Sequence, residues 1–278
     1  MSVEINDHIL PFLRWTGSKR WFTRDHLARF LPAKFNNYHE PFLGGGAVFF
    51  FIKQTLKQSE RRFYLSDTNE DLINVYLQIK DNPSEVIRIL KQLKNTKEDY
   101  YQIRKYNPRG NLQKAARFIY LNRTSFNGIY RVNANGVYNV PYGHRPNVDV
   151  VTAELLTNVS RLLKNTVFST QSFDQSLTEV KKGDLVFLDP PYTVAHENNG
   201  FIEYNQKLFS WTDQERLKQM TERITKKKAY FILTNASHHS IESLYRDVGT
   251  ITVLSRPSIV GGRIKTRSIY NELIVHNF

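Results

Sequence analysis

Cysteine is absent from all 278 residues, which excludes disulfides and thiolate metal sites and fits a reducing cytoplasm. No apolar run approaches the ~20 residues that a membrane-spanning helix needs. The opening MSVEINDHILPF lacks a basic stretch followed by an apolar one, so no signal peptide is expected. Internal repeats and low-complexity tracts are missing too, which removes solenoids and propellers. Neither the spaced glycines of a dinucleotide loop nor the Lys-Ser/Thr ending of a phosphate loop is found, so NAD and ATP are disfavoured. Acidic residues are short: 26 Asp and Glu against 39 Lys and Arg leave a formal charge of +13. A polyanion, above all nucleic acid, is the expected partner; the plain alternative is a basic protein kept soluble by self-repulsion. Together these absences predict a soluble, cytoplasmic protein with no membrane partner.

What is present suffices for a sizeable core. Hydrophobic residues make up 40% of the chain and aromatics 13%, which places it with folded globular proteins rather than disordered ones. Short apolar strands are predicted at 38–42, 62–67, 166–173, 184–189, 229–235, 250–254 and 272–276. Amphipathic segments separate several of them, which predicts an α/β fold with a mostly parallel sheet and helices on both faces. Thr68 is read as the cap of a helix carrying Leu72, Val75, Tyr76 and Ile79 inward. Asn82 caps the next, with Pro83 in first position and Val86, Ile89, Leu90 and Leu93 inward. Thr212 and Glu215 suggest a capping box. Residues 76–165 break the rhythm and read as an insertion between two halves of one sheet. Within it, NRTSFNGIYRVNANGVYNVPYGHRPN (122–147) is either a functional segment or a long polar loop.

Three stretches carry candidate chemistry. EPFLGGGAVFF (40–50) puts Gly44, Gly45 and Gly46 after a strand and before a helix, where the backbone can approach a ligand and the helix start favours an anion. LSDTNEDL places Asp67 about 20 residues on, where an acid grips ribose hydroxyls or merely helps to cap the following helix. A nucleoside with a carboxylate tail fits both, and S-adenosylmethionine is such a molecule. DLVFLDPPY (184–192) ends a buried strand at its carboxyl edge with Asp189. Pro190 and Pro191 stiffen the turn and leave the Pro190 carbonyl as acceptor, and Tyr192 offers a flat face. Two acceptors beside an aromatic plate match the amino group of a stacked heterocycle.

FLRWTGSK, PFLGGG, LSDTNEDL, the FNG to NVPYG block and DPPY, in this order from about residue 12 to the C-terminus, resemble the Dam-type DNA adenine methyltransferases of the D12 class. The resemblance implies a Rossmann-like S-adenosylmethionine-dependent methyltransferase sheet, with residues 1–75 and 166–278 as two parts of a catalytic domain and 76–165 as an inserted, mainly helical DNA-recognition domain. It implies methyl transfer to the N6 amine of adenine in double-stranded DNA, within GATC, by a monomer in solution or a dimer on DNA. Carried over, Trp15 and Lys19 close over the cofactor, Phe42, Gly44 and Gly46 line its methionine end, Asp67 holds its ribose, and Ser172 and Phe173 border its adenine. Asp189, also at the cofactor, would handle the target base with Pro190, Pro191 and Tyr192. Arg14, Phe126, Asn127, Ile129, Arg131 and Pro141 would meet DNA, with Arg131 reading guanine by a bidentate contact. His144 stands where relatives commonly have arginine.

Other readings stay open. Outside that context Lys19 reads equally as a solvated lysine and Trp15 as ordinary core. His238 and His239 lack a third spaced ligand, so no metal is expected and they are read as loop residues. In 255–268, Arg256, Arg263, Lys265 and Arg267 form either a solvated hairpin tip or a phosphate-binding loop. Rival functions are transfer to an amino group on RNA or on a protein glutamine, and a catalytically inactive DNA-binding relative.

Overall fold

The computed structural model describes residues 9–56, 61–133, 135–192, 209–257 and 269–278. The chain divides into two compact units that alternate along the sequence: residues 1–23, 43–60 and 67–170 form the first, and 24–42, 61–66 and 171–278 the second.

Among the described residues the second unit holds a sheet of six strands. They are β1 (Tyr38–Glu40), β2 (Phe63–Asp67), β4 (Leu185–Leu188), β5 (Tyr230–Ala236), β6 (Thr250–Pro257) and β7 (Ile269–His276), while β3 (Thr166–Thr170) falls in the first unit. The six lie in the order β2-β1-β4-β5-β7-β6. From β2 to β5 neighbours are parallel, with Tyr38 opposite Phe63 and Leu185, and Leu188 opposite Leu233. β7 runs antiparallel to both β5 and β6. The LVFL of β4 is buried at every position, as expected of a strand covered on both faces. Around it Phe173, Val186, Leu188, Leu217, Met220, Phe231, Leu233 and Leu273 make one continuous core. Strand order reverses between β1 and β4, and the crevice beyond their carboxyl ends is where open α/β sheets hold ligands.

At the opposite margin the sheet is bolted by a buried hydrogen-bonded pair. His39 Nε2 lies 2.9 Å from Asp184 Oδ2, with both side chains essentially inaccessible. The N–H groups of Asn37 and Lys181 donate to the same carboxylate. Burial alone would raise the Asp184 carboxyl, but these donors outweigh it and hold it below the usual carboxylate range.

The first unit is mainly helical: α2 (Ala47–Thr55), α3 (Glu70–Asp81), α4 (Pro83–Leu90), α5 (Lys97–Lys105), α6 (Asn111–Thr124) and α7 (Ala153–Leu162), with the short α1 (Arg20–Asp25) straddling its border. α6 is the hub, burying Ala115, Ala116, Phe118, Ile119, Tyr120 and Leu121 and packing against α3, α4 and α5. The expected stripe of α3 is buried at Leu72, Val75, Tyr76 and Ile79; α4 buries Val86 and Leu90, with Ile89 and Leu93 only partly covered.

Three local expectations are corrected. α3 is capped by Asn69 and not Thr68, because the helix starts at Glu70 and the Asn69 side chain accepts from Leu72 N–H. In the second unit α8 (Trp211–Lys226) starts two residues before the expected box, so Ser210 and Asp213 form the reciprocal cap in place of Thr212 and Glu215. His238 is not a plain loop residue. Its Nδ1 accepts from Ser240 N–H and caps α9 (His239–Tyr245), and no group of three potential metal ligands occurs among the described residues.

Candidate active site

In the first unit the glycine turn between β1 and α2 is held from three sides. Gly44 and Gly46 have φ of +48° and +67°, backbone that favours glycine. A Cβ on Gly44 would stand 2.7 Å from Trp15 Cδ1, so the indole lies directly on the turn. Trp15 stacks in turn on Tyr130 and Phe118. Tyr76 donates its hydroxyl to the Gly44 carbonyl at 3.1 Å, and Gly44 N–H donates to Asp67 Oδ2 at 3.0 Å. Asp67 Oδ1 accepts from Asn69 N–H at the entrance of α3, so this acid serves the helix entrance and the glycine turn together. Burial pushes its carboxyl above the usual range against the pull of these N–H donors. Lys19 is no solvated lysine: it is 4% exposed, with Nζ donating to Gly17 O.

In the second unit Asp189 follows directly on β4 at the carboxyl edge. Thr234 of β5 donates its hydroxyl to Asp189 Oδ1 at 2.6 Å. Pro190 is buried and Pro191 exposed, and the half-buried Tyr192 donates to Glu272 Oε2 at 2.6 Å. Tyr38 donates to Glu40 Oε2 at 2.7 Å; burial first, then the charges of Glu40 and Asp189, push the Tyr38 phenol well above its ordinary range. Phe42 stacks on the buried Phe173 at 5.3 Å. The Ser172 hydroxyl turns locally to Asp174.

The segment 122–147 of the first unit is not a loose loop. Asn122, 2% exposed, accepts from Arg14 N–H and donates to the carbonyls of Arg14 and Gly128, which joins the N-terminal segment to the Phe126–Gly128 turn. Phe126 N–H donates to Pro141 O, so Arg14, Phe126, Asn127, Ile129 and Pro141 come together. Phe126 is 51% exposed, Asn127 takes φ +56°, and Arg131 is exposed with Nε donating to Asn139. Tyr100 and Arg104 donate to Val140 O, and Asn95 donates to the carbonyls of Arg145 and Val148. His144 adopts φ +50° with its ring against Tyr142. Asn122→Ala is expected to cost about 1–3 kcal/mol of stability, because it strips partners from the buried Gly128 carbonyl and from two part-buried groups of Arg14; urea denaturation with an unchanged m-value would register it.

Sequence reasoning passed over Arg20, Arg123 and Arg145. Burial first, and then the charge of Arg14, lowers the affinity of each for its proton. Each donates to backbone carbonyls: Arg20 to Pro11, Arg123 to Asp149, Arg145 to Arg123 and Ser125. Four guanidinium groups thus build a positive patch that an anion would relieve. Nothing in the spacing of 14, 20, 123 and 145 announces it. Arg263, Lys265 and Arg267 lie outside the described residues, as does the side chain of Arg256.

Residues 15–259 match the profile of the family described as D12 class N6 adenine-specific DNA methyltransferase. The chain belongs to this family. Among the family's relatives of this chain, the type II methyltransferase M1.LlaDCHI of Lactococcus lactis subsp. cremoris is 35% identical over 281 residues, covering 98% of this chain and 96% of the relative. The type II methyltransferase M.MjaIII of Methanocaldococcus jannaschii is 32% identical over 289 residues, with 97% and 99% covered. The DNA adenine methylase of Salmonella typhimurium is 31% identical over 271 residues, with 95% and 93% covered. The D12 methyltransferase is therefore an adenine-specific enzyme that acts on DNA and uses S-adenosylmethionine. The first unit fits that molecule: a turn where a Cβ on Gly44 would meet the Trp15 indole, and the Asp67 carboxylate bonded to the same turn. Among the described residues no helix is long and apolar enough to cross a membrane.

Proposed function

We propose that this D12 methyltransferase modifies adenine within GATC in duplex DNA, acting as a monomer in the cytoplasm, with residues 76–165 as its DNA-recognition part. The observation that carries the catalytic reading is the place of Asp189, at the carboxyl edge of β4 with its carboxylate fixed by Thr234. The GATC reading rests on the RVNANG and NVPYG blocks, which resemble those of enzymes acting on sites that begin GAT.

When bound, S-adenosylmethionine supplies an activated methyl group. Trp15, Lys19, Phe42, Gly44 and Gly46 would line its methionine end, Asp67 its ribose, and Ser172 and Phe173 its adenine, with Asp189 meeting both cofactor and target. The adenine amine is a poor nucleophile because its lone pair is shared with the ring. Asp189 and the Pro190 carbonyl would each accept one amine hydrogen, which favours the pyramidal nitrogen and turns its lone pair outward. Acceptors fixed in advance are worth several kcal/mol to such a transition state. Pro191 stiffens the turn, and Tyr192 stacks on the everted base, offsetting part of the few kcal/mol that eversion costs. Arg14 with Arg20, Arg123 and Arg145 would take backbone phosphates, and so would Arg263, Lys265 and Arg267. Phe126, Asn127, Ile129 and Pro141 would meet the bases.

The test is transfer of tritiated methyl from S-adenosylmethionine to a GATC duplex, with methylated positions sequenced in a host expressing the enzyme; methylated adenines outside GATC would refute the site assignment. Arg131→Ala is expected to remove about 1–3 kcal/mol of base discrimination, read as the ratio of kcat/KM on GATC to that on single-base variants.

A further inference from the structure

Glu272 belongs to no motif described above, yet it is 0% exposed and accepts the Tyr192 hydroxyl at 2.6 Å. A carboxyl group at an interior strand position is costly unless hydrogen-bonded. Register explains how it reaches the site. β7 runs antiparallel to β5 with Glu272 opposite Ala236, so the early part of β7 lies at the margin where β4 and β5 end. Leu233 pairs with Leu188, and one step further Thr234 stands beside Asp189. The two side chains proposed to handle the base are each tied to the next strands of the sheet, Asp189 to β5 and Tyr192 to β7.

We propose that Glu272 is a positioning residue that holds the Tyr192 ring in its stacking orientation, as Thr234 holds the Asp189 carboxylate. The inference rests on the reading of Asp189 and Tyr192 as the base-handling pair. A half-exposed tyrosine held by its hydroxyl has its ring plane set before the base arrives, so the ordering cost is met during folding and not at encounter. Glu272 acts through the hydroxyl, and the ring face remains the contacting surface. Its loss should therefore lower the rate of the transfer step and leave cofactor and DNA affinity nearly untouched.

The test is a double-mutant cycle on the full-length enzyme with a GATC duplex, in single turnover. Tyr192→Phe keeps the ring and removes the hydroxyl. It and Glu272→Ala are each expected to slow transfer by about tenfold with KM for DNA unchanged. The double variant should be no slower than either single, and Glu272→Gln, which keeps a carbonyl acceptor, should recover most of the rate. A duplex with 2-aminopurine at the target should show brighter fluorescence in Glu272→Ala than in the parent, since a base stacked less firmly is quenched less. Multiplying defects in the double variant, or a Glu272→Gln rate as low as that of Glu272→Ala, would overturn the tether. Should Glu272→Ala not fold, Tyr192→Phe decides alone: a slower transfer at unchanged KM supports the proposal and a parental rate overturns it. Asp189→Ala separates the two layers. If it transfers methyl normally, the base-handling reading itself fails; if it is inactive while Tyr192→Phe is normal, only the tether fails.

Discussion

Asp189→Ala is expected to slow methyl transfer to adenine by about 10²–10³-fold, the usual effect of deleting one preorganised polar group at a reacting centre. The fold should survive, since Asp189 is half-buried and sits just past the end of β4. Losing the carboxylate leaves the Thr234 hydroxyl without the acceptor it meets at 2.6 Å, a cost of about 1–3 kcal/mol that thermal melting would show separately. Asp189→Asn keeps one carbonyl acceptor and should retain more activity than alanine. Binding of S-adenosylmethionine and of DNA, measured by calorimetry and by anisotropy, should change far less than the rate. An Asp189→Ala enzyme with parental turnover would remove the residue from the chemistry.

Gly44→Ala should weaken S-adenosylmethionine binding by at least about tenfold, because two penalties meet at one atom. The turn holds φ +48°, which costs a side-chain-bearing residue about 1–2 kcal/mol. The new methyl would also stand 2.7 Å from Trp15 Cδ1 and 2.8 Å from Nε1. The indole cannot simply retreat, as it stacks on Phe118 and Tyr130. Gly136→Ala is the matched control: its φ of +72° carries the same backbone penalty, but nothing lies within 4 Å of the added carbon. Calorimetric titration of the two variants would separate crowding from strain. Equal cofactor affinity in Gly44→Ala and the parent would refute the role of the turn.

Much of this was legible because it depends on short-range pattern. The continuous apolar run LVFL marks a strand buried on both faces whatever its neighbours, and the α3 stripe repeats at helical spacing. Caps were less legible. TDQERL and SWTD offer competing first turns of the same chemistry, and the structure closes the reciprocal bonds at Ser210 and Asp213. Asn69 displaced Thr68 for a similar reason, since either residue type can accept from the first turn. The two interleaved units were invisible, because the sequence carries no linker where one gives way to the other. Glu272 was hidden by its own strand: before LIVH it reads as a polar boundary, and its burial follows from the pairing of β7 with two partners. The arginine patch was hidden by distance along the chain.

The place of β7 has a consequence for how the enzyme comes into being. A strand made from the last residues of the sequence lies inside the sheet, with β5 on one side and β6 on the other. A nascent polypeptide stopped before residue 269 would leave both neighbours with bare hydrogen-bonding edges and Tyr192 without its acceptor. Competence therefore depends on residues 269–276, and a polypeptide cut short of them is expected to leave adenine unmarked.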